Sequence, residues 1–358
     1  MNSTWGKNIR ISLFGESHGE CIGIVIDGVK SGIKLDNEYI TKMMQRRAPG
    51  KTKFSTPRAE EDVYQIKTGV LDGVTTGAPI CCIIENSNTK SGDYENLKSL
   101  MRPGHSDYPA YVKFGGFNDV RGGGHFSGRL TAPIVFAGRI CRQILKDMGI
   151  EIVSHISEIA GINDDVLDEA KLNDYMNLTN ETFPVINKAK GEEMKEAIEN
   201  ARMDQNSVGG VIECVVSGIN AGIGNPIFHS VESVISGVMF SIPAVKGVEF
   251  GAGFDIAKMT GSDANDEYYY DGSDVKAYTN NNGGVIGGIT NGMPVKFRVA
   301  IKPTPSISKP QKTVNVKTGE NDEIVVQGRH DPCIVPRAAV VVESAAAIAI
   351  LDLILEDR

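Results

Sequence analysis

Apolar and polar positions along the chain follow two rhythms. From Val295 to Ile301, the residues Val295, Phe297, Val299 and Ile301 alternate with Lys296, Arg298 and Ala300, the two-residue period of a strand with one buried face. Further β-rich runs cover Ile22 to Asp27, Pro79 to Glu85 and Val211 to Val216. Helical spacing is as clear elsewhere. Asp36 reads as the N-cap of a helix reaching Arg46 or Arg47 and stopped by Pro49-Gly50. A longer apolar helix is predicted from about Ser127 to Met148, ending at Gly149, and another from about Pro336 to Leu355. Residues 163–205 are acidic and polar, with two Asn-rich turns and a helix expected over Gly191 to Met203, and read as a peripheral excursion. No Pro- or Ser-rich linker divides the chain and no short repeat appears, so the pattern predicts one integrated α+β domain over residues 1–358.

Composition adds one anomaly. The 40 glycines among 358 residues are about 11%, against a usual ~7%, without the period of collagen or the bias of a flexible linker. They must serve backbone geometry. The net charge of −8 sets up a field that repels nucleic acid and anionic membrane, so any anion site has to be local. Cys21, Cys81, Cys82, Cys141, Cys214 and Cys333 form no C-x-x-C pair and no zinc spacing; free thiols in a reducing cytoplasm are the simplest account. The first ten residues lack an apolar signal core, and the most hydrophobic stretch, Ala345 to Leu355, is short and carries Asp352, so neither export nor a membrane span is expected.

Chemistry gathers at the glycines. His18, His105 and His125 each adjoin glycine in the turns Gly15-Glu16-Ser17-His18-Gly19, Arg102-Pro103-Gly104-His105-Ser106-Asp107 and Gly122-Gly123-Gly124-His125, and His330 follows Gly328-Arg329. Glycine there permits positive φ and close ligand approach, and imidazole can exchange a proton near neutral pH. A single such histidine is as well explained by a local hydrogen bond; four point to a shared pocket. His155 and His229 have no such setting. Between Lys42 and Arg58 the chain carries Lys42, Arg46, Arg47, Lys51, Lys53 and Arg58 with no acidic residue and one aromatic, Phe54. That favours a small phosphorylated ligand over RNA. The triple glycine precedes a predicted helix and so offers N–H groups at its positive end. No P-loop, Rossmann fingerprint, nucleophile elbow or metal-ligand spacing is present.

These segments, together with Arg121 to Ala132, Ala244-Val245-Lys246-Gly247-Val248-Glu249 and Gly328-Arg329-His330-Asp331-Pro332-Cys333, resemble in sequence and order the signatures of the chorismate synthase family, and they span residues 15 to 333. The resemblance implies a β-α-β layered sandwich and a lyase. That lyase eliminates phosphate and a C6 hydrogen from 5-enolpyruvylshikimate 3-phosphate, with reduced FMN lending an electron and no net redox change. By the same resemblance His18 is the acid for the departing phosphate, His105 serves the flavin, and Asp331 with Ser17 takes the C6 proton. Arg46, Arg47, Lys53, Arg129 and Arg329 match anion-binding positions. His125, Phe126, Ser127, Pro243, Ala244, Gly287, Lys302, Pro303, Thr304, Pro305, Ser306 and Arg329 match flavin contacts. His125-Phe126 stands where many members have Arg-Ser, and Lys53 where arginine is common in some, which lacks its bidentate fork. A homotetramer is implied, with NADPH only as a flavin reductant, and no metal. Two other readings remain open at this point: a flavin oxidoreductase using the same contacts for net electron transfer, and an anion- or RNA-binding module built on Lys42 to Arg58.

Overall fold

Two antiparallel sheets enclose a layer of helices. The computed structural model describes residues 3–50, 61–86, 98–326 and 331–356. The first sheet contains β1 (Thr4–Trp5), β2 (Arg10–Gly15), β3 (Cys21–Asp27), β4 (Tyr64–Thr68) and, after a ribbon of β5 (Val70–Leu71) and β6 (Val74–Thr75), β7 (Ile80–Glu85), in the order β1-β2-β3-β7-β4. The second contains β8 (Glu151–Ile159), β9 (Ile162–Asn163), β10 (Gly210–Ser217), β11 (Val245–Phe250) and β16 (Val295–Ile301), in the order β11-β16-β10-β8-β9. Hairpins β12 (Tyr268–Asp271) with β13 (Asp274–Ala277), β14 (Val285–Ile286) with β15 (Ile289–Thr290), and β17 (Gln311–Asn315) with β18 (Glu320–Ile324) stand outside the two sheets.

The sheets turn their apolar sides inward. Ile22, Ile24 and Ile26 of β3 and Ile80, Cys82 and Ile84 of β7 are buried on one side; Val295, Phe297, Val299 and Ile301 of β16 are buried on the other, as their alternation predicts. Helices α1 (Asn37–Arg47), α3 (Thr131–Asp147), α5 (Val231–Met239) and α7 (Val335–Glu356) fill the space between. The remaining helices are α2 (Asp107–Phe114), α4 (Lys188–Met203) and the short α6 (Gly261–Ala264). Asp36 caps α1 by accepting the Tyr39 N–H at 2.9 Å. α3 begins at Thr131 and not at Ser127, because a separate turn of 3₁₀ helix covers Gly128–Leu130. Pro133 then falls in the first turn of α3, where its missing N–H costs nothing.

α7 is long and apolar enough to cross a membrane by length and composition, yet here it is the buried centre of the molecule. α3 crosses it at Gly138, where a β-carbon would stand 2.4 Å from Ser344 Cβ, so glycine sets how closely the two helices approach. Two acids interrupt its apolar surface. Asp352 accepts backbone N–H groups of Lys7, Asn8 and Ile9 at 3.1, 2.6 and 2.8 Å, fastening the start of the chain to its last helix. Glu343 receives Arg46 Nη1 and Arg139 Nη2, both at 2.8 Å, and Arg142 Nη1 at 3.2 Å. Burial would raise the Glu343 pKa, but the three guanidinium charges overcome that and hold it down at about 2.

Candidate active site

The triple glycine builds one wall. Gly122, Gly123 and Gly124 have φ of +58°, +85° and +53°, a left-handed path that residues with side chains rarely take. The path folds back on the Ser17-His18 turn, and Ser17 N–H donates to the Gly124 carbonyl at 3.1 Å. It lies outside the first turn of α3, so the expected cradle at that helix's positive end is not formed; the glycines admit side chains instead. A β-carbon on Gly122 would be 2.1 Å from His18 Nδ1, and one on Gly123 would be 3.2 Å from His105 Nε2. Both histidines therefore reach the same backbone turn.

A cavity of about 680 Å³ opens in front of this wall. Ser17, His105, Gly122 and Ser127 line it, as do Arg47 from the end of α1, Arg129, Asp331 just before α7, and Arg337 and Val341 in the first two turns of α7. Phe126, Ile242, Pro243, Ala244, Val245 and Pro305 give it an apolar side. Ala244, at φ +75°, accepts the Lys302 N–H at 2.9 Å and fixes that side against the segment from Lys302 to Ser306. The cavity is strongly cationic: Arg47, Arg102, Arg129, Lys246, Lys302 and Arg337 face it, with Asp331 the one carboxylate among the described lining residues. In a chain of net charge −8 this is a local anion trap.

Carboxylates behind the wall hold the cations in place. Asp107 Oδ1 accepts from His105 Nδ1 at 2.6 Å and its Oδ2 from Arg102 Nε at 2.7 Å. Burial would raise the Asp107 pKa, but hydrogen bonds from His105 and Arg102, and their charges, hold it well below the usual carboxylate range. With Nδ1 engaged, His105 presents Nε2 toward the triple glycine. Asp62 accepts Arg47 Nε at 2.6 Å and also takes Arg129 Nη1. Arg337 donates to the Arg47 carbonyl at 2.9 Å and pairs with Asp331. Burial pushes the Arg47 guanidinium down to about 10, with Arg337 and Arg129 lowering it further and Asp62 opposing them. Burial and the neighbouring Lys246 lower the Lys302 ammonium.

A model of the chorismate synthase family matches residues 9–355. The chain belongs to the chorismate synthase family. It is similar to the chorismate synthases of Chitinophaga pinensis (47% identical over 359 residues, 100% of this chain and 98% of the relative) and of Dehalococcoides mccartyi strain 195 (43% over 355 residues, 99% and 97%). A chorismate synthase crystal structure superposes with a TM-score of 0.77 at 29% identity, covering 99% of this chain and 93% of that one. As in the family, the chain is a lyase of the final shikimate-pathway step.

Against that identity, most of the expected site residues meet at the cavity: Ser17, His105, Asp331, Arg47, Arg129, His125, Phe126, Ser127, Pro243, Ala244, Lys302, Thr304, Pro305 and Ser306. His18 does not itself line the cavity: it stands against Gly122, which does, and is 5% exposed. Three expectations are corrected. Arg46, adjacent to Arg47 but a ~100° turn of helix away, points into the core ion pair with Glu343 and not into the cavity. Gly287 forms, with Gly288, the positive-φ turn of the β14–β15 hairpin and does not line the cavity. Pro303 faces Gly209 while Lys302 and Thr304 on either side face the cavity. Lys53 and Arg329, with Arg58 and His330, lie outside the described residues. His125 is anchored, its Nδ1 donating to the Gly15 carbonyl at 2.8 Å with Ser3 Oγ 3.2 Å from Nε2. The sequence reading missed Asp62, Asp107 and Arg337 as site residues; only Asp107, two residues beyond His105, carried a local signal.

Proposed function

We propose that this cavity binds 5-enolpyruvylshikimate 3-phosphate beside reduced FMN and eliminates phosphate to give chorismate. The observation that carries the reading is the set of six cations around one cavity whose glycine wall holds both His18 and His105. A substrate with one phosphate and two carboxylates suits such a charge, and bidentate guanidinium contacts suit each of its groups. Flavin fits the residues present. The volume suits a planar ring with a small substrate, the apolar side from Phe126 to Pro305 offers a face for the ring, and Lys246 and Lys302 offer charge for its phosphate. Thr304 Oγ1, buried and without a hydrogen-bond partner among the described residues, is a polar group left for a ligand.

When bound, reduced flavin supplies an electron transiently and regains it, so the reaction has no net redox change. The chain's own residues handle charge and protons. Arg47 and Arg129 hold anionic groups of the substrate. His18, admitted to the wall because Gly122 has no side chain, gives its proton to the departing phosphate. His105, oriented by Asp107, holds a proton toward the flavin site. Asp331, paired with Arg337, accepts the C6 proton, with Ser17 lining the same cavity. The reading extends to a homotetramer in the cytoplasm with NADPH serving only to reduce the flavin. Exposed Phe117, Phe228 and Phe254 are consistent with subunit contacts. The test is an anaerobic assay with reduced FMN and the enolpyruvyl substrate, following phosphate and chorismate together. Equal release with catalytic flavin is expected; stoichiometric consumption of reductant, or no chorismate, refutes it.

A further inference from the structure

We infer that Asp62 is a positioning residue for substrate binding: one carboxylate that sets the spacing and tilt of both Arg47 and Arg129. The inference rests on the proposal that these two arginines hold substrate anions. Three observations carry it. The Asp62 side chain is fully buried, and its two oxygens are divided between the guanidinium groups, Oδ2 at 2.5 Å from Arg47 Nη2 and Oδ1 on Arg129 Nη1. It does not line the cationic cavity. It lines a separate recess of about 550 Å³, among Asn37, Thr41, Met44 and Tyr64, so it holds the arginines without occupying the cavity they face. Its φ of +49° is a left-handed conformation that a residue with a side chain adopts at a cost. That strain is what an imposed geometry at a functional position looks like.

The physical effect follows from the charges. Two guanidinium groups buried side by side repel and would splay apart; a shared carboxylate removes one unit of charge and ties both to one point. Arg129 is held further by Asn86 Oδ1 at 2.9 Å and the Glu85 carbonyl at 3.2 Å, whereas among the described residues the remaining side-chain hydrogen bond of Arg47 is a long 3.4 Å to Thr131 Oγ1. Arg47 thus depends more on Asp62 than Arg129 does.

The test is Asp62→Asn in the full chain, assayed with the enolpyruvyl substrate and, separately, for oxidised FMN binding by fluorescence, alongside Arg47→Gln and the double variant. We expect the substrate KM to rise at least tenfold with FMN affinity within twofold of wild type, and Arg47→Gln to add little in the Asp62→Asn background. A substrate KM within twofold of wild type, while Arg47→Gln alone raises it, overturns the role of Asp62 and leaves the arginine reading intact. No rise for Arg47→Gln overturns both. Parallel loss of FMN and substrate binding overturns it in favour of a structural role. If Asp62→Asn does not fold, Asp62→Glu, which keeps the charge but moves it one methylene outward, is read by the same KM and FMN criteria.

Discussion

Replacing Gly122 with alanine should disable the chemistry while leaving the fold standing. The new β-carbon would lie 2.1 Å from Nδ1 and 2.2 Å from Cε1 of His18, and 2.8 Å from Ser17 Oγ. Ordinary contact begins near 3.4 Å, so the imidazole must retreat by roughly 1.3 Å, a displacement of the size that costs about 10²-fold in rate when a reacting group is misplaced. The φ of +58° adds strain of ~1–2 kcal/mol, small enough for a domain of this size to survive. Two other glycines calibrate the result. Alanine at Gly123 meets His105 Nε2 at 3.2 Å and needs a shift of only a few tenths of an ångström, while alanine at Gly237, in α5 and outside the cavity lining, meets nothing within 4 Å. The expected order of kcat is therefore Gly237→Ala close to wild type, Gly123→Ala lower, and Gly122→Ala lowest by about two orders of magnitude. The assay is anaerobic chorismate release, with circular dichroism to establish folding. A folded Gly122→Ala enzyme within threefold of wild type would refute the placement of His18 at the reacting groups.

Further expectations concern the protons and the core. His18→Ala should lower turnover by ~10²–10⁴, the usual worth of a general acid, and a loss below about tenfold would remove that role. Asp107→Asn should lower kcat by at least about tenfold by freeing the His105 ring and changing which nitrogen holds the proton, seen as an altered pH–rate profile; an unchanged profile argues against it. Glu343→Gln leaves three buried arginines without their carboxylate and should destabilise the fold by ~3–5 kcal/mol in urea titrations at neutral pH. Because the folded pKa of Glu343 is about 2 against an ordinary 4.5, its contribution is complete above pH 4.5 and lost as pH falls toward 2, so the gap between wild type and variant should narrow at about pH 3.5.

Periodic features were legible in the sequence, and pairings across the fold were not. The alternation at β16, the Asp36 cap of α1 and the long apolar α7 each follow from neighbours a few residues apart. The glycine-histidine turns announced chemistry for the same reason, since permissive backbone and titratable ring are adjacent. Arg46 and Arg47 show where that reading stops. Arg47 continues the Ile40, Met43, Met44 stripe to the end of α1, whereas the fate of Arg46 depends on Glu343, 297 residues away. An acid inside the apolar α7 was a signal that a cation awaited it. Asp62 and Arg337 offered none, because a side chain in a turn, or at the first turn of a buried helix, takes its meaning from partners that only the tertiary structure supplies.

The position of α7 has a consequence for how the protein is made. The segment Val335–Glu356 is the central layer, and it leaves the ribosome after both sheets have been synthesised. Until then the inner faces of β8 and β10, and the apolar sides of α3 and α5, lack the surface against which they bury. A chain stopped before Val335 would keep those faces exposed to solvent and to other nascent chains, inviting association. The fastening of Asp352 to Lys7, Asn8 and Ile9 means that this early segment also waits for a partner made at least 343 residues later. Productive folding is therefore deferred until Val335–Glu356 has been made, and deletions that reach into this segment should be far more damaging to soluble yield than their length suggests.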